Sequence, residues 1–152
     1  MKVGDNASSP KSYRSPLSPA ALSVLRGVSR YFHESGCVLL KEFSLPNHRR
    51  ADVAAINPEG ELVIVEVKSC LSDFMSDQKW PEYQSYCDRF YFAVNEDFPV
   101  ERIPENCGLL IADGFTASVI QLAETEKLHA SRRKALTLLF AQTAARRLAR
   151  LD

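Results

Sequence analysis

Two carboxylates and one ammonium interrupt the most hydrophobic part of this chain, residues 49–69, "RRADVAAINPEGELVIVEVKS". Asp52 lies in the first strand of an expected hairpin, and Glu66 and Lys68 end the second strand. Alternate side chains of a strand share a face, so Glu66 and Lys68 are expected on one side of the sheet. With the turn centred near residue 59, Asp52 pairs with a position close to Glu66. The sequence therefore predicts two neighbouring carboxylates near the ends of the strands.

Neighbouring carboxylates repel each other unless positive charge lies between them, and a divalent metal supplies more of it than Lys68 alone. Oxygen ligands from Asp52, Glu66 and a backbone carbonyl, completed by water, suit Mg²⁺ or Mn²⁺. Such a metal polarises a phosphoryl oxygen and lowers the pKa of a bound water, while Lys68 orients or activates the attacking water. These residues predict hydrolysis of a phosphodiester. The plain alternative is a surface ladder of ion pairs.

The composition limits the classes of protein to which the chain can belong. It has 152 residues, 45% hydrophobic and 25% charged, which is typical of one soluble domain. Its 19 basic and 19 acidic residues cancel, so any contact with nucleic acid needs a local basic patch. The four cysteines form no Cys-x-x-Cys pair, which argues against a zinc site or a disulfide framework. Without a leader or a membrane-spanning run, we expect a reduced cytoplasmic protein with no membrane partner.

The first helix is predicted after a polar tail. Residues 1–15 are rich in Ser, Pro, Lys and Asn and are expected to be disordered, which leaves 16–152 as a single domain. A helix begins near Ser18, whose hydroxyl is placed to cap it, and stops at Gly36. The side chains expected on its core face recur at three- and four-residue steps: Leu22, Leu25, Val28 and Phe32.

Strands and helices then alternate along the chain. The strand "CVLLKEFSL" precedes the hairpin, and helical spacing returns at residues 70–87. Pro81 forbids an unbroken helix there, so we expect a break near Ser76 with Asp77 capping a second short helix. Strands at "RFYFAV", "GLLIAD" and the weaker "TASVIQL" lead to a last helix from His129 to Arg150. This order predicts an α/β fold with a mixed sheet of five to six strands and helices on both faces.

The motif and its frame resemble the PD-(D/E)XK nuclease superfamily, which includes restriction endonucleases and archaeal Holliday-junction resolvases. The resemblance rests on Asp52, thirteen further residues, and then Glu66-Val67-Lys68. It implies a restriction-endonuclease-like fold, in which Asp52 and Glu66 bind the metal and Lys68 serves the water. It also implies a main-chain ligand from Val67. "RRAD" replaces the Pro-Asp dipeptide of the motif, at a position that varies within the superfamily.

The superfamily often carries another acidic residue upstream of the motif. Glu34 and Glu42 both qualify, and Glu42 is preferred as a further metal ligand because it lies on the strand expected beside Asp52. Resolvase-like members act as dimers, which cut two strands symmetrically, so the resemblance also suggests a homodimer. A closer resemblance covers roughly residues 17–150. The segments "RRADV", "VEVKS", "SDFMSDQKWPEYQSYCDRFYFAV" and "RRKAL" are similar to the bacterial MmcB-like proteins, a family linked by name to DNA repair.

Several residues near the motif are candidates for substrate binding. Lys79 and Tyr83 share a helix face if the helix begins at Asp77, and Trp80 lies beside them, so they could contact a phosphate or stack on a base. Packing of Trp80 and Tyr83 onto the sheet, with Lys79 solvated, is the alternative. Arg49 and Arg50 precede the Asp52 strand and could hold a phosphate backbone, or lie in a solvated loop.

The last predicted helix is basic. Seven Lys or Arg residues and no acidic residue lie between Lys127 and Arg150. Leu136, Leu139 and Phe140 are expected to face the core, which directs four arginines outward: Arg132, Arg133, Arg146 and Arg147. Nucleic-acid binding is the sharper interpretation. The plainer one is a basic C-terminal turn that complements the helix dipole.

These observations together predict a Mg²⁺- or Mn²⁺-dependent deoxyribonuclease that acts on DNA, branched or damaged, in repair or recombination. One alternative is a catalytically inactive module that binds DNA through the same face and the basic helix. Another is an interaction subunit of a repair complex. The three differ in whether the purified protein cleaves DNA, only binds it, or does neither.

Overall fold

The computed structural model describes residues 16–77 and 79–151, and the predicted tail at 1–15 lies outside that range. Within the described residues, the helices are α1 (Pro19–Glu34), α2 (Leu71–Ser76), α3 (Pro81–Gln84) and α4 (Ala130–Ala149), with a 3-10 turn at Val100–Arg102. The strands are β1 (Val38–Ser44), β2 (Arg50–Ile56), β3 (Leu62–Lys68), β4 (Arg89–Val94), β5 (Gly108–Ala112) and β6 (Ala117–Gln121).

The six strands form one mixed sheet whose order follows the chain, β1-β2-β3-β4-β5-β6. The first three strands are antiparallel neighbours, β3, β4 and β5 are parallel, and β6 returns antiparallel to β5. The segment containing α2 and α3 makes the crossover from β3 to the parallel β4, as a parallel pair requires. The predicted α/β class and the mixed sheet are confirmed.

Helices cover both faces of the sheet, as expected. On the back face, α1 packs Val24 and Val28 against Val53, Val65 and other β residues. On the front face, the helices α2, α3 and α4 cover a larger apolar cluster. Its members from the strands and helices include Phe43, Ile64, Phe92, Phe74, Tyr83, Leu136 and Phe140. Glu66 and Lys68 follow Ile64 at two-residue steps, so they belong to the front side, which these three helices overlie.

The start of α1 is as predicted, and one side chain of its core face is not. The hydroxyl of Ser18 accepts a hydrogen bond from the amide of Ala21 at 3.1 Å, and Pro19 opens the first turn. Leu22, expected in the core, is 47% exposed, while Ala21 and Val24 are buried. The other three members of the predicted core face are buried, and Gly27 lies directly against the backbone of the turn between β5 and β6.

The region 70–87 breaks near Ser76, but the residue expected to cap the second helix does not cap it. Asp77 closes α2, since its amide donates to the carbonyl of Phe74 at 3.2 Å. Helix α3 begins at Pro81, in the first-turn position that tolerates proline. Asp77 instead accepts the amide of Lys79 at 2.8 Å, in a local turn typical of aspartate. Lys79 therefore lies before α3 and does not share a helix face with Tyr83.

Strand β1 is kinked at Glu42, whose φ of 51° is unusual for a residue other than glycine. The pairs Lys41↔Val53 and Phe43↔Ala51 flank the kink, so Glu42 lies opposite Asp52. Leu40 and Phe43 are an odd number of residues apart, yet both pack on the front face. The kink therefore reverses the alternation of side chains along β1 beside the motif.

No helix in the described part of the chain has the length and apolar character needed to cross a bilayer.

Candidate active site

The pairing of β2 with β3 brings the two carboxylates of the motif together. Val53 pairs with Val65, which places Asp52 opposite Glu66 on the next pair of residues. The amide of Asp52 donates to Oε1 of Glu66 at 3.0 Å, and the amide of Val67 donates to Oδ2 of Asp52 at 2.8 Å. Both side chains are almost fully buried, with Asp52 4% and Glu66 1% exposed. The strands themselves thus hold two acidic groups in fixed positions.

These carboxylates line a pocket of about 350 Å³ at the end of the hairpin away from its turn. Its described lining comprises Leu17, Asp52, Glu66, Val67, Lys68, Asp73, Ser76, Asp77, Lys79 and Tyr83. Four of these residues are acidic and two are lysines, which gives an excess of two negative charges when all are ionised. A concave site with excess negative charge attracts cations.

Lys68 is paired with an aspartate that the sequence interpretation assigned to a helix cap. Its Nζ lies 2.7 Å from Oδ2 of Asp77, and both side chains are only 11% exposed. Burial favours the neutral form of Asp77. Hydrogen bonds from Lys68 and from backbone amides outweigh that effect, so the pKa of the Asp77 carboxyl is lowered. The sequence offered one signal for this pair. Asp77 is an acidic residue in the turn after α2, and that turn returns over the end of the strand that carries Lys68.

The donor set suits a hard divalent cation that keeps much of its hydration shell. In the described residues, no three or more His, Cys, Asp or Glu side chains group into a complete metal cage. Mg²⁺ is usually held by one or two carboxylates, with water and substrate phosphate as the other ligands. Asp52 and Glu66 meet that requirement, because they are two carboxylates that line the same pocket. The two residues therefore fit the metal that the motif implies.

Glu42, expected as a further metal ligand, does not line this pocket. Its side chain is exposed, and its backbone takes the left-handed conformation described above. Arg147 of α4 donates to the carbonyls of Lys41 at 2.5 Å and Glu42 at 2.7 Å. The kink turns β1 out of regular alternation here, so its position beside Asp52 does not bring the Glu42 carboxylate into the pocket.

The aromatic residues after the motif pack onto the sheet. The Trp80 ring stacks on Phe90, with ring centroids 6.1 Å apart and planes 23° apart, and meets the edge of Phe92 at 5.6 Å. Tyr83 is 5% exposed and donates its hydroxyl to the carbonyl of Arg50 at 3.0 Å. The packing alternative therefore describes both rings. Lys79 is exposed at the pocket edge.

Arg49 lies just before β2 and Arg50 begins it, near α3. The Arg49 guanidinium forms an ion pair with Glu82, and this hydrogen bond raises the pKa of Arg49. Arg50 is half-buried, and its carbonyl accepts the Tyr83 hydroxyl. The segment before Asp52 is thus held against α3 by these two contacts.

The four arginines of α4 do not all project outward. Arg133 donates to Asp88 at 2.8 and 2.5 Å and to the carbonyl of Gly60 at 3.0 Å. Arg147 binds the β1 backbone as described, so the expected outward direction is wrong for these two. Arg132 is exposed, donates to the carbonyl of Ser85 at 2.9 Å and lies 4.8 Å above the Tyr86 ring. Arg146 is exposed.

Asp88 is a buried acidic residue that the sequence interpretation missed. It is 1% exposed and accepts the amides of Leu62 at 2.7 Å and Leu128 at 2.9 Å, in addition to Arg133. Burial favours its neutral form. The hydrogen bonds from Arg133 and the two amides outweigh this, so the pKa of Asp88 is lowered. Asp88 joins β3, the segment before α4, and α4 itself, at the end of the sheet away from the pocket.

Comparison with known proteins relates the whole described domain to one family. The family model for DNA repair protein MmcB-like matches residues 8–152. A solved structure titled SPO1766 protein of unknown function, from Silicibacter pomeroyi, is 41% identical and has a TM-score of 0.83. The match covers 87% of this chain and 90% of that chain. A search of curated proteins gave no match. The chain belongs to the MmcB-like DNA repair protein family.

Proposed function

We propose that this protein is a metal-dependent nuclease of the PD-(D/E)XK type that acts on DNA during repair. One observation carries the proposal: the buried Asp52 and Glu66 carboxylates lie side by side in an acidic pocket, and Lys68 lines the same pocket. Burying two adjacent carboxylates costs free energy, and a function in binding a cation would explain why the protein buries them. The family name supplies the DNA repair setting.

In this proposal each residue of the motif has a separate role. Asp52 and Glu66 hold Mg²⁺ or Mn²⁺, with the main-chain carbonyl of Val67 as a further candidate ligand. When bound, the metal stabilises negative charge on the phosphate and makes water a better nucleophile. Lys68 orients the attacking water. Lys79, exposed at the pocket edge, is placed to contact a neighbouring phosphate.

The proposed DNA surface extends from the pocket to part of α4. Arg132 and Arg146 are its exposed arginines, and they offer charge to phosphates without being needed by a buried partner. Arg49 and Arg50 border the Asp52 strand, where Arg49 shares its charge with Glu82. A nonspecific phosphate-binding surface needs only such positioned positive charges.

The test is incubation of the purified protein with duplex, nicked, single-stranded and branched DNA in Mg²⁺, Mn²⁺ or EDTA. We expect cleavage of at least one substrate with either metal and none in EDTA. Asp52→Asn and Glu66→Gln should abolish cleavage, whereas Glu59→Gln, which removes an exposed carboxylate at the far end of the hairpin, should not. Cleavage that survives Asp52→Asn and Glu66→Gln would contradict the assignment of the site.

A second candidate is a DNA-binding module without catalysis. The lack of a third metal-binding side chain in the described residues and the engagement of Lys68 by Asp77 favour it. Binding without cleavage under every metal condition would select this second candidate.

The homodimer also stays a prediction, and sedimentation equilibrium of the protein with and without DNA would test it.

A further inference from the structure

Asp77 fixes the lysine of the motif from outside the motif. Its Oδ2 lies 2.7 Å from Nζ of Lys68, and its Oδ1 accepts the amide of Lys79 at 2.8 Å. Both oxygens of the carboxylate are therefore held, and the ion pair is mostly shielded from water, since each side chain is 11% exposed. Shielding from water strengthens such a pair compared with one on the open surface.

The helix that carries Asp77 is itself anchored in the core. Phe74 of α2 is 8% exposed and meets Phe92 and Phe98 edge-on, at ring-centroid distances of 5.2 and 5.9 Å. The Asp77 amide donates to the carbonyl of Phe74 at 3.2 Å, which connects the aspartate to this packed turn. Asp77 is thus a rigid support, whereas an unsupported lysine side chain samples many rotamers.

An ammonium has three N–H donors, and Asp77 uses one of them. Among the contacts of the described residues, the other two donors stay open to a water or a phosphate oxygen in the pocket. Efficient catalysis depends on such groups being held in place, and an error of about 1 Å can cost roughly 10²-fold in rate. Asp77 is therefore suited to set the position from which Lys68 acts.

We propose that Asp77 is a positioning residue, which holds the Lys68 ammonium in the pocket beside Asp52 and Glu66, and that it binds neither the metal nor the DNA. This inference rests on the proposed nuclease activity. It predicts that loss of the Asp77 charge lowers kcat, while KM for DNA stays the same and the affinity for Mn²⁺ falls no more than after loss of another carboxylate of the pocket lining. If Asp77 were instead a metal ligand, its removal would weaken Mn²⁺ binding more than the removal of Asp73.

A double-mutant cycle with the full chain tests this role. Asp77→Asn keeps the shape and the acceptor for the Lys79 amide but removes the charge that pairs with Lys68. We expect a fall in kcat of roughly 10- to 100-fold in the parent. In a Lys68→Met background the same change should alter kcat by less than about twofold, because interacting residues are not additive. Isothermal titration with Mn²⁺ should give no greater loss of affinity for Asp77→Asn than for Asp73→Asn, which removes the same charge from the pocket.

The matched control is Asp73→Asn, which removes a charge from the same helix and pocket. Asp73 accepts from the hydroxyl of Ser69 and does not pair with Lys68 in the described contacts, so its effect should be equal in both backgrounds. Asp77→Ser, with a short acceptor, replaces Asp77→Asn if the latter lowers the melting temperature. Additive effects of Asp77 and Lys68, in a parent that cleaves DNA, overturn this inference alone. A parent that cleaves no DNA overturns the proposed nuclease, and this inference with it.

Discussion

The backbone amide of Asp52 donates a hydrogen bond to the Glu66 side chain, 3.0 Å long, across two antiparallel strands. The Asp52 side chain accepts in return from the amide of Val67, the residue after Glu66. A backbone amide of the opposite strand therefore holds one oxygen of each carboxylate. These hydrogen bonds offset part of the cost of burying the two polar side chains. The pairing of the two strands therefore fixes the relative positions of the two carboxylates.

The substitution Glu66→Gln should have opposite effects on the stability of the protein and on its metal binding. Glu66→Gln keeps an acceptor for the Asp52 amide and removes repulsion between two buried charges, so the free energy of unfolding should be retained or rise. Mn²⁺ binding should be lost. Glu66→Ala leaves that amide without this acceptor and should lower the free energy of unfolding by about 1–3 kcal/mol. Urea denaturation and calorimetric titration measure the two effects, and equal destabilisation by both variants would contradict this account.

The exposed and the engaged arginines of α4 should separate in a salt titration. Arg132→Gln and Arg146→Gln should each reduce the slope of log K against log salt by about one for duplex DNA, with little change in stability. Arg133→Gln removes hydrogen bonds to the buried Asp88 and should cost roughly 1.5–3 kcal/mol of unfolding free energy. An unchanged slope in Arg132→Gln and Arg146→Gln would leave the helix-dipole interpretation of the basic helix.

Asp88 should make the protein sensitive to acid. Its pKa in the folded chain is lowered by Arg133 and two backbone amides, from a value of about 3.9 in the unfolded chain. Its contribution to stability is therefore present above about pH 4 and is lost as the pH falls through the lower folded pKa. In Asp88→Asn the unfolding free energy should depend less on pH between about 5 and 3. A steeper dependence in Asp88→Asn than in the parent would refute this role.

Gly27 should reverse the usual effect of an alanine in a helix. A Cβ there would lie 2.0 Å from the carbonyl oxygen of Asp113 and 2.6 Å from that of Thr116, both of which belong to the backbone. Gly→Ala within a helix ordinarily stabilises by about 1 kcal/mol. Here we expect a loss of about 1–3 kcal/mol, because α1 must move away from the turn. Thermal and urea unfolding measure it, with Leu22→Ala on the exposed side of α1 as the control.

Much of the fold could be predicted from local patterns in the sequence. Two apolar runs separated by a turn at Asn57–Gly60 predicted the hairpin and a register that places Asp52 beside Glu66. Ser18 and Pro19 marked the start of α1, and the spacing of Leu136 and Phe140 identified the buried face of α4. Each of these signals acts over a few residues, which is the range that propensity and periodicity cover.

The partners of the charged residues could not be predicted in this way. Arg133 pairs with Asp88, 45 residues earlier, and Arg147 binds carbonyls more than 100 residues earlier, so helix periodicity alone assigned both to the solvent side. The kink at Glu42, whose carbonyl accepts from Arg147, has no local turn signal in the sequence. Asp77 satisfied a local rule for helix caps, but its side chain is occupied by Lys68 and by the Lys79 amide. Contacts between separate elements decided these positions.

The contacts of Asp88 also impose an order on folding during synthesis. The Asp88 carboxylate accepts from the amides of Leu62 and Leu128 and from the Arg133 side chain. Leu128 and Arg133 lie 40 and 45 residues after Asp88 in the chain. A chain leaves the ribosome from its N-terminus. Strands β1 to β4 therefore emerge before Arg133 can pair with Asp88 and before α4 can cover the front face. The nascent sheet therefore presents Phe43 and its apolar neighbours to water until α4 arrives.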